Sequence, residues 1–294
     1  MFKELRGDEI RNEIDEYIHS SVAELAERGI VPKLAIIGED DDDGQVYYEK
    51  AILKRGKEYG VEIQLTNFNC KVRQAEIEEA LHELNDDESV HGILVLTPLP
   101  EGIDDDHIRT IIRPDKDVDA VTNISVAELF TDKEDAFVAC TAEACMEILN
   151  HYKIGTEGKR VTVVGRSLTI GKPLSLLMLN ENATVTVCHS KTRKKDVVKA
   201  CRDADIVVLA AGMTQYYGSE FFRDGQIVLD VGTGTGKDGK MHGDLDIDEI
   251  KESEAIHDMS YTPVPGGVGM VTTAVLFRNI IKAIHKKSKK DARE

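Results

Sequence analysis

The chain has 294 residues, of which 41% are hydrophobic, and a formal net charge of -17 at pH 7. The length allows two domains with separate cores, and the negative charge argues against nucleic acid or an anionic membrane surface as a partner. No apolar stretch reaches the roughly 18 residues of a membrane span, and five cysteines without a Cys-x-x-Cys pair favour reduced thiols. We therefore expect a soluble, cytoplasmic protein.

The first half of the chain alternates helical and strand patterns. Apolar residues at helical spacing predict an amphipathic helix over residues 3–28. Strands are predicted at 33–38, 61–68 and 92–97, with helices at 46–59, 75–84 and 103–112. This alternation is typical of a parallel α/β sheet, so residues 1–122 are predicted to form one α/β domain. The acidic run at 39–43 predicts a solvated loop, and no metal site is expected.

The second half contains a strand, a glycine turn, a helix and a second strand. The strands are predicted at Arg160–Val164 and Ala183–Cys188, and the helical pattern covers Leu174–Leu179. Such a βαβ unit is the building block of a dinucleotide-binding sheet. The turn reads Gly165-Arg166-Ser167 with Gly171 further on, rather than the usual G-x-G-x-x-G, but its glycines still allow close backbone approach.

The end of the second predicted strand indicates which dinucleotide is bound. An NAD site has an acidic residue about 20 residues after the turn, where it binds the ribose 2′-hydroxyl. Here His189, Ser190 and Lys191 occupy that place, and no carboxylate follows until Asp196. A hydroxyl and cations suit a 2′-phosphate, and Arg166 can add two parallel hydrogen bonds to it. The sequence therefore predicts NADP. The alternative is a solvated basic loop.

The remaining elements complete a second domain. Residues 140–270 are predicted to form a Rossmann-like dinucleotide-binding domain, with a rigid proline- and glycine-rich loop at Thr262–Gly269. A last helix is predicted from Thr272 to about His285, and the segment 272–294 is assigned to the first domain. The predicted fold is therefore α/β, with two α/β domains and a ligand-binding cleft between them.

Several short blocks, taken together and in order, carry a family resemblance. They are Tyr48 with Lys54 and Gly60, Gly92–Val95 with Pro98–Pro100, Pro114–Asp119, Cys140–Thr141, Gly165–Ser167, Asp230–Gly232, and Thr262–Gly269. With these blocks the chain resembles the bifunctional methylenetetrahydrofolate dehydrogenase/methenyltetrahydrofolate cyclohydrolase family. The resemblance implies oxidation of methylenetetrahydrofolate with NADP or NAD, hydrolysis of the product to formyltetrahydrofolate, and a homodimer built through the nucleotide domain.

The resemblance also assigns residues to the folate substrate. Asp119 matches an aspartate that binds the pterin ring, whose edge presents paired N–H donors to a carboxylate. Tyr48 matches a tyrosine that packs on the aminobenzoyl part of folate, and Leu99 and Pro265–Gly267 lie in folate-side loops. The alternatives are a loop cap beside Asp117 for Asp119, ordinary packing for Tyr48, and a tight turn for the glycines.

Six residues are assigned to the cofactor. They are Gly165, Arg166, Ser167, Ser190, Lys191 and Thr233. Thr233 stands where the family has isoleucine, so we expect it to contribute mainly backbone contacts.

Two departures from the family concern the hydrolase step. The family's catalytic lysine lies four residues after the tyrosine, and here that position is Ile52; the family glutamine is replaced by Leu96. Tyr47 shares a helix face with Lys50 and Lys54, so a re-registered helix would supply a lysine, with Lys54 the first choice and Lys50 the second. The alternative for both is an ordinary surface lysine.

The predicted catalytic set is therefore Lys54, Asp119 and Tyr48. Hydride transfer depends mainly on positioning the two rings, so dehydrogenase activity is expected, whereas the cyclohydrolase step is expected to be altered. Three rival functions stay open at this point: a dehydrogenase without efficient cyclohydrolase activity, a nucleotide-binding paralogue without turnover, and a different NADP dehydrogenase acting on a small acid or polyol. The last would need a catalytic histidine or lysine between residues 190 and 212, and none is convincing.

Overall fold

A computed structural model describes residues 1–291, with side chains in 1–42 and 44–289. Residues 292–294 of the predicted segment 272–294 lie outside the described residues. The chain divides into two compact units. We call residues 1–12 with 139–272 the six-stranded unit, and residues 13–138 with the chain from 273 onward the three-stranded unit.

The first part of the chain supplies the elements of the three-stranded unit and one strand of the other. They are β1 (Phe2–Glu4), α1 (Asp8–Glu27), β2 (Lys33–Glu39), α2 (Asp43–Tyr59), β3 (Glu62–Phe68), α3 (Gln74–Asp86), β4 (Gly92–Val95), α4 (Asp105–Ile111) and α5 (Asn123–Phe130).

The second part supplies the remaining elements. They are α6 (Cys140–His151), β5 (Arg160–Val164), α7 (Gly171–Asn180), β6 (Thr184–Cys188), α8 (Lys194–Asp203), β7 (Ile206–Leu209), a 3₁₀ turn (Ser219–Phe221), β8 (Gln226–Asp230), β9 (Gly234–Thr235), β10 (Met241–His242), α9 (Ile247–Glu252), β11 (Met259–Tyr261) and α10 (Val268–Asp291).

The three-stranded sheet is parallel, in the order β3-β2-β4. Its central strand β2 is buried on both faces from Leu34 to Ile37, as expected for a strand that helices cover on both sides. A parallel bridge from Ile93 to Asp117 places the segment after α4 beside β4. Helix α2 begins where Asp42 accepts a hydrogen bond from the Gln45 N–H (2.8 Å) and ends at Gly60, whose φ is +75°.

The six-stranded sheet is also parallel, in the order β1-β11-β8-β7-β5-β6. From β5 the chain passes to β6 on one side and then returns to β7 on the other, so a topological switch point lies between β5 and β7. Both units are therefore α/β with parallel strands, which confirms the predicted fold class. The predicted cleft between two domains stays a prediction.

The N-terminus differs from its prediction. Residues 1–12 were assigned to the first domain, but β1 pairs in parallel with β11, and the Leu5 N–H donates to the Tyr261 carbonyl (2.7 Å). Because β1 completes the edge of the larger sheet, this segment belongs to the six-stranded unit. The C-terminal helix begins at Val268, four residues before its predicted start. Across residues 1–291 we find no helix with the length and apolar character to cross a membrane.

Candidate functional site

A cavity of about 370 Å³ lies at the carboxyl ends of β5, β6 and β7. Its lining includes Gly165 and Arg166 after β5, His189 and Ser190 after β6, and Ala210 and Met213 after β7. This is the switch point of the sheet, where open α/β proteins bind their ligands. Three of the predicted cofactor residues, Gly165, Arg166 and Ser190, therefore meet at one cavity.

Two glycines let the backbone fold tightly at this turn. Gly165 has a φ of +143°, and a Cβ there would lie 2.4 Å from the Ala210 carbonyl oxygen. A Cβ on Gly171 would lie 2.3 Å from the Gly165 carbonyl oxygen. Both positions exclude any side chain, so a ligand can approach the bare backbone of the turn.

The other three predicted cofactor residues do not line this cavity. The Ser167 hydroxyl accepts a hydrogen bond from the N–H of Ile170, the residue directly before α7 (3.1 Å). Lys191 and Thr233 are both exposed. Ser167 thus holds the turn in place, and the ligand roles predicted for Lys191 and Thr233 stay predictions.

The cavity also contains one of the basic residues that follow β6 and two aromatic residues that the sequence did not single out. Lys194, Tyr216 and Phe221 line it, and the Lys194 ammonium lies 5.9 Å and 5.7 Å from the two ring centroids. The same ammonium bonds to Glu220 (2.6 Å), which raises the pKa of Lys194. A cation beside aromatic faces suits a ligand that carries both an anion and a flat ring. For Tyr216 and Phe221, the sequence signal was the aromatic cluster after β7.

A buried aspartate shapes one wall of the cavity. One carboxylate oxygen of Asp244 accepts from the Ala211 N–H (2.7 Å) and the Gly212 N–H (3.0 Å), and the other accepts from the Met213 N–H (2.6 Å). Asp244 is fully buried. Because three consecutive donors bond to one carboxylate, this loop has a fixed course before any ligand binds.

In the three-stranded unit, two charged residues of the Pro114–Asp119 block, Lys116 and Asp117, form buried structural hydrogen bonds. The buried Lys116 ammonium donates to the carbonyls of Leu84, Asn85 and Asp87, and burial lowers the pKa of Lys116.

Asp117 is fully buried and accepts from the N–H groups of Val121 (3.0 Å) and Thr122 (2.9 Å) and from the Ser125 hydroxyl (2.6 Å). Asp117 therefore caps the loop, which is the role that the sequence analysis gave as the alternative for Asp119. Asp119 is half-buried, two residues beyond the bridge to β4.

The predicted catalytic lysine lies on the exposed side of α2. The Lys54 side chain is 79% exposed, and its ammonium lies 4.0 Å from the Glu58 carboxylate. Lys50 and Tyr47 are exposed as well, whereas Tyr48 is half-buried. A hydrated lysine paired with a carboxylate lacks the desolvated setting that proton transfer requires, so the re-registered helix is a correction to the sequence interpretation.

The buried face of α2 carries polar residues instead. Gln45 and Glu49 are 5% and 4% exposed, and Ile52, at the family's lysine position, is fully buried. The Gln45 side-chain amide donates to the Pro98 carbonyl (2.7 Å) and its oxygen accepts from the Glu39 N–H (3.0 Å). These bonds fix α2 to the loop that carries the half-buried Leu99.

The loop before α10 belongs to the six-stranded unit. Gly266 has a φ of +110°, and its carbonyl accepts from the Gly7 N–H (2.9 Å). A Cβ on Gly267 would lie 2.7 Å from the Pro263 carbonyl oxygen. Both glycines are thus required by the turn itself, and Pro265 is exposed. The predicted folate contacts of this loop stay a prediction.

Comparison with known proteins covers both units. Residues 5–119 match the family model described as tetrahydrofolate dehydrogenase/cyclohydrolase, catalytic domain, and residues 139–288 match its NAD(P)-binding domain. The bifunctional protein FolD of Clostridium kluyveri is 40% identical over 285 residues, which are 97% of this chain and 98% of that protein.

Solved structures of the same family are also similar to this chain. The bifunctional FolD enzyme of Campylobacter jejuni is 36% identical with a TM-score of 0.91, and the match covers 98% of this chain and all of that one. The Trypanosoma brucei enzyme, solved with NADP cofactor and an inhibitor, is 32% identical with a TM-score of 0.89, covering 96% and 97% of the two chains.

Proposed function

This chain belongs to the tetrahydrofolate dehydrogenase/cyclohydrolase family, and we propose that it is an enzyme that oxidises 5,10-methylenetetrahydrofolate to 5,10-methenyltetrahydrofolate with NADP and hydrolyses the product to 10-formyltetrahydrofolate. The observation that carries the proposal is the cavity at β5, β6 and β7. Its turn excludes side chains at Gly165, and the end of β6 presents Ser190 without a carboxylate.

The cavity residues fit a phosphorylated dinucleotide. When bound, NADP supplies a hydride acceptor for the methylene carbon. Gly165 lets the backbone approach the pyrophosphate, and Arg166, Ser190 and Lys194 offer donors and positive charge to the 2′-phosphate. The bonds of Asp244 keep the opposite wall in place, so binding needs little rearrangement there.

For the folate, we assign binding to Asp119, Tyr48, Leu99 and the loop Pro265–Gly267. The role of Asp119 is supported by its half-buried side chain and by its place two residues beyond the bridge to β4. The proton-transfer role predicted for Lys54 is not retained, because its ammonium is hydrated and paired.

Absorbance measurements test the dehydrogenase. Purified protein mixed with methylenetetrahydrofolate should reduce NADP faster than NAD, with methenyltetrahydrofolate appearing alongside NADPH. No reduced cofactor with either dinucleotide would refute the dehydrogenase and favour a paralogue without turnover. Methenyltetrahydrofolate supplied alone should decay faster than its spontaneous hydrolysis, and decay at the spontaneous rate would identify a dehydrogenase-only member.

We further propose a cytoplasmic homodimer. The five cysteines are free, and four are buried, which supports a reducing compartment. The homodimer rests on family resemblance, and light scattering after gel filtration should give twice the mass of one chain. A monomer at micromolar concentration would refute the dimer, and recovery of the protein from a membrane or extracellular fraction would refute the location.

A further inference from the structure

Glu49 is a buried carboxylate with one oxygen unused. The residue is 4% exposed. Its Oε2 accepts a hydrogen bond from the Asn67 side-chain amide (2.9 Å), and the same amide donates to Asp40 (3.1 Å). Within the described part of the chain, Glu49 Oε1 and Asn67 Oδ1 have no hydrogen-bond partner. Buried acceptors without donors are rare, and in native proteins they often mark functional groups.

These two unused oxygens lie at the carboxyl edge of the three-stranded sheet. Gly38 and Asn67 are partners in the register of β2 and β3, near the ends of both strands. A Cβ on Gly38 would lie 2.3 Å from Glu49 Oε1, 3.2 Å from Asn67 Oδ1 and 3.4 Å from the Leu96 side chain. The glycine is therefore needed to admit the carboxylate, which stands where α/β sheets bind ligands.

Three neighbouring segments and α2 itself supply the side chains around Glu49. The segment after β2 presents Asp40, β3 presents the neutral Asn67 amide, and the segment after β4 presents the apolar Leu96. On α2 itself, Lys50 and Lys54 lie about 100° and about 140° around the helix from Glu49, and both are exposed. Among the described side chains at this edge, Glu49 is the carboxylate that is buried and keeps one oxygen unused.

We propose that Glu49 is the proton acceptor of the hydrolase step, the role for which the family resemblance required a lysine; this inference rests on the proposed function. A water oxygen forms a bond to the methenyl carbon while one water proton passes to Glu49 Oε1. In the resulting carbinol, the hydroxyl proton is lost as the bond between carbon and N5 breaks. N5 gains one proton, the formyl group stays on N10, and the proton on Glu49 is released to solvent.

The local geometry supports this role over a purely structural one. Asn67 orients the carboxylate through Oε2, and the buried Oε1 has no hydrogen-bond partner among the described residues. An oriented base contributes about 10²- to 10⁴-fold to such reactions.

The test compares two activities of the full-length protein in Glu49→Gln. We expect the kcat of methenyltetrahydrofolate hydrolysis to fall by about 100-fold or more, with KM and NADPH formation within threefold of the unaltered protein. Glu49→Asp keeps a carboxylate and should recover at least tenfold of the lost rate.

The matched control is Glu58→Gln, the same change at an exposed position on α2, which should leave both activities and the thermal unfolding midpoint unchanged. Unimpaired hydrolysis in Glu49→Gln, or equal loss of both activities, would overturn the proposal. Loss of hydrolysis in Lys54→Gln, with hydrolysis retained in Glu49→Gln, would also overturn the proposal. If the unaltered protein reduces NADP but does not hydrolyse, the base assignment fails while the dehydrogenase stands; if it does neither, the proposed function fails too.

Discussion

The two sheets offer ligand sites at the same kind of edge but build them differently. In the six-stranded unit, the edge is shaped by backbone, with bare glycine at Gly165 and three N–H groups bonded to Asp244. In the three-stranded unit, the corresponding edge contains the side chains of Glu49 and Asn67, and each keeps one buried acceptor unused.

This difference matches the role proposed for each site. A site that only holds a ligand can satisfy its own polar groups first and present a rigid surface. A site that moves a proton needs a group whose bonding capacity is incomplete until substrate arrives. Substitutions at the first edge should therefore change binding and stability, and those at the second should change rate.

The largest effect is expected from Gly165→Ala. The new Cβ would meet the Ala210 carbonyl at 2.4 Å, and the backbone φ of +143° is unfavourable for alanine. A strain of roughly 3 kcal/mol should displace the turn, and we expect NADP binding to weaken by about 100-fold or more because the displaced backbone no longer fits the cofactor. Titration calorimetry with NADP measures this directly, while hydrolysis of added methenyltetrahydrofolate should persist.

Gly158→Ala provides the control for this prediction. Gly158 also has a positive φ, +70°, but a Cβ there would meet nothing within 4 Å. It should lower stability by about 1 kcal/mol and leave NADP affinity unchanged. Equal affinities in the two variants would show that the crowded turn does not form the cofactor site.

Asp244→Asn tests whether the cavity wall is fixed before binding. In either amide orientation, an NH₂ group would face a backbone N–H of the loop from Ala211 to Met213. We expect a loss of about 2–3 kcal/mol in the free energy of unfolding, measured in urea, and a higher KM for NADP. Asp246→Asn is the control, since asparagine caps α9 as well as aspartate does. Unchanged stability in Asp244→Asn would contradict the fixed wall.

Arg166→Ala should have a smaller effect, confined to cofactor choice. The exposed guanidinium lines the cavity and is assigned to the 2′-phosphate. Losing one charge-assisted contact of about 1.5 kcal/mol should reduce the preference for NADP over NAD by about tenfold, measured as the ratio of kcat/KM values. Arg193→Ala removes an exposed arginine that pairs with Asp196 and should not alter this ratio. An unchanged ratio in Arg166→Ala would place the phosphate elsewhere.

The contrast between the two edges also explains what the sequence could predict. Strand Arg160–Val164 has the bounds that were predicted, because a continuous β-branched run indicates a buried parallel strand. The short elements α5 and β11 were not predicted, since eight and three residues carry too little periodicity.

The site residues also differ in whether a local sequence pattern reveals them. Gly165 and Arg166 were predicted because a βα turn is a local motif. The bonds of Asp244 join groups 31 to 33 residues apart, and no local pattern reveals them. Glu49 was passed over because a glutamate in a polar helix ordinarily faces solvent. Only the packing of α2 on β2 and β3 shows that this position is buried.

The smallest predicted effect lies at the opposite edge of the three-stranded sheet. There His91 Nδ1 accepts a hydrogen bond from the Lys33 N–H (3.1 Å). Burial, and then the positive charges of Lys287 and Lys116, lower the pKa of His91. The unfolded ring takes up a proton near pH 6.5 while the folded ring stays neutral, so stability should fall as pH decreases below that value.

Urea unfolding between about pH 7.5 and about pH 5 measures this fall. His91→Asn keeps an acceptor at the Nδ1 position but cannot be protonated in this range, so its stability should decline less. Because this edge is the amino end of the sheet, hydrolysis and NADPH formation should match those of the unaltered protein. An equal decline with pH in both proteins would mean that His91 makes no such contribution, and a change in hydrolysis rate would contradict the division between a stabilising edge and a catalytic one.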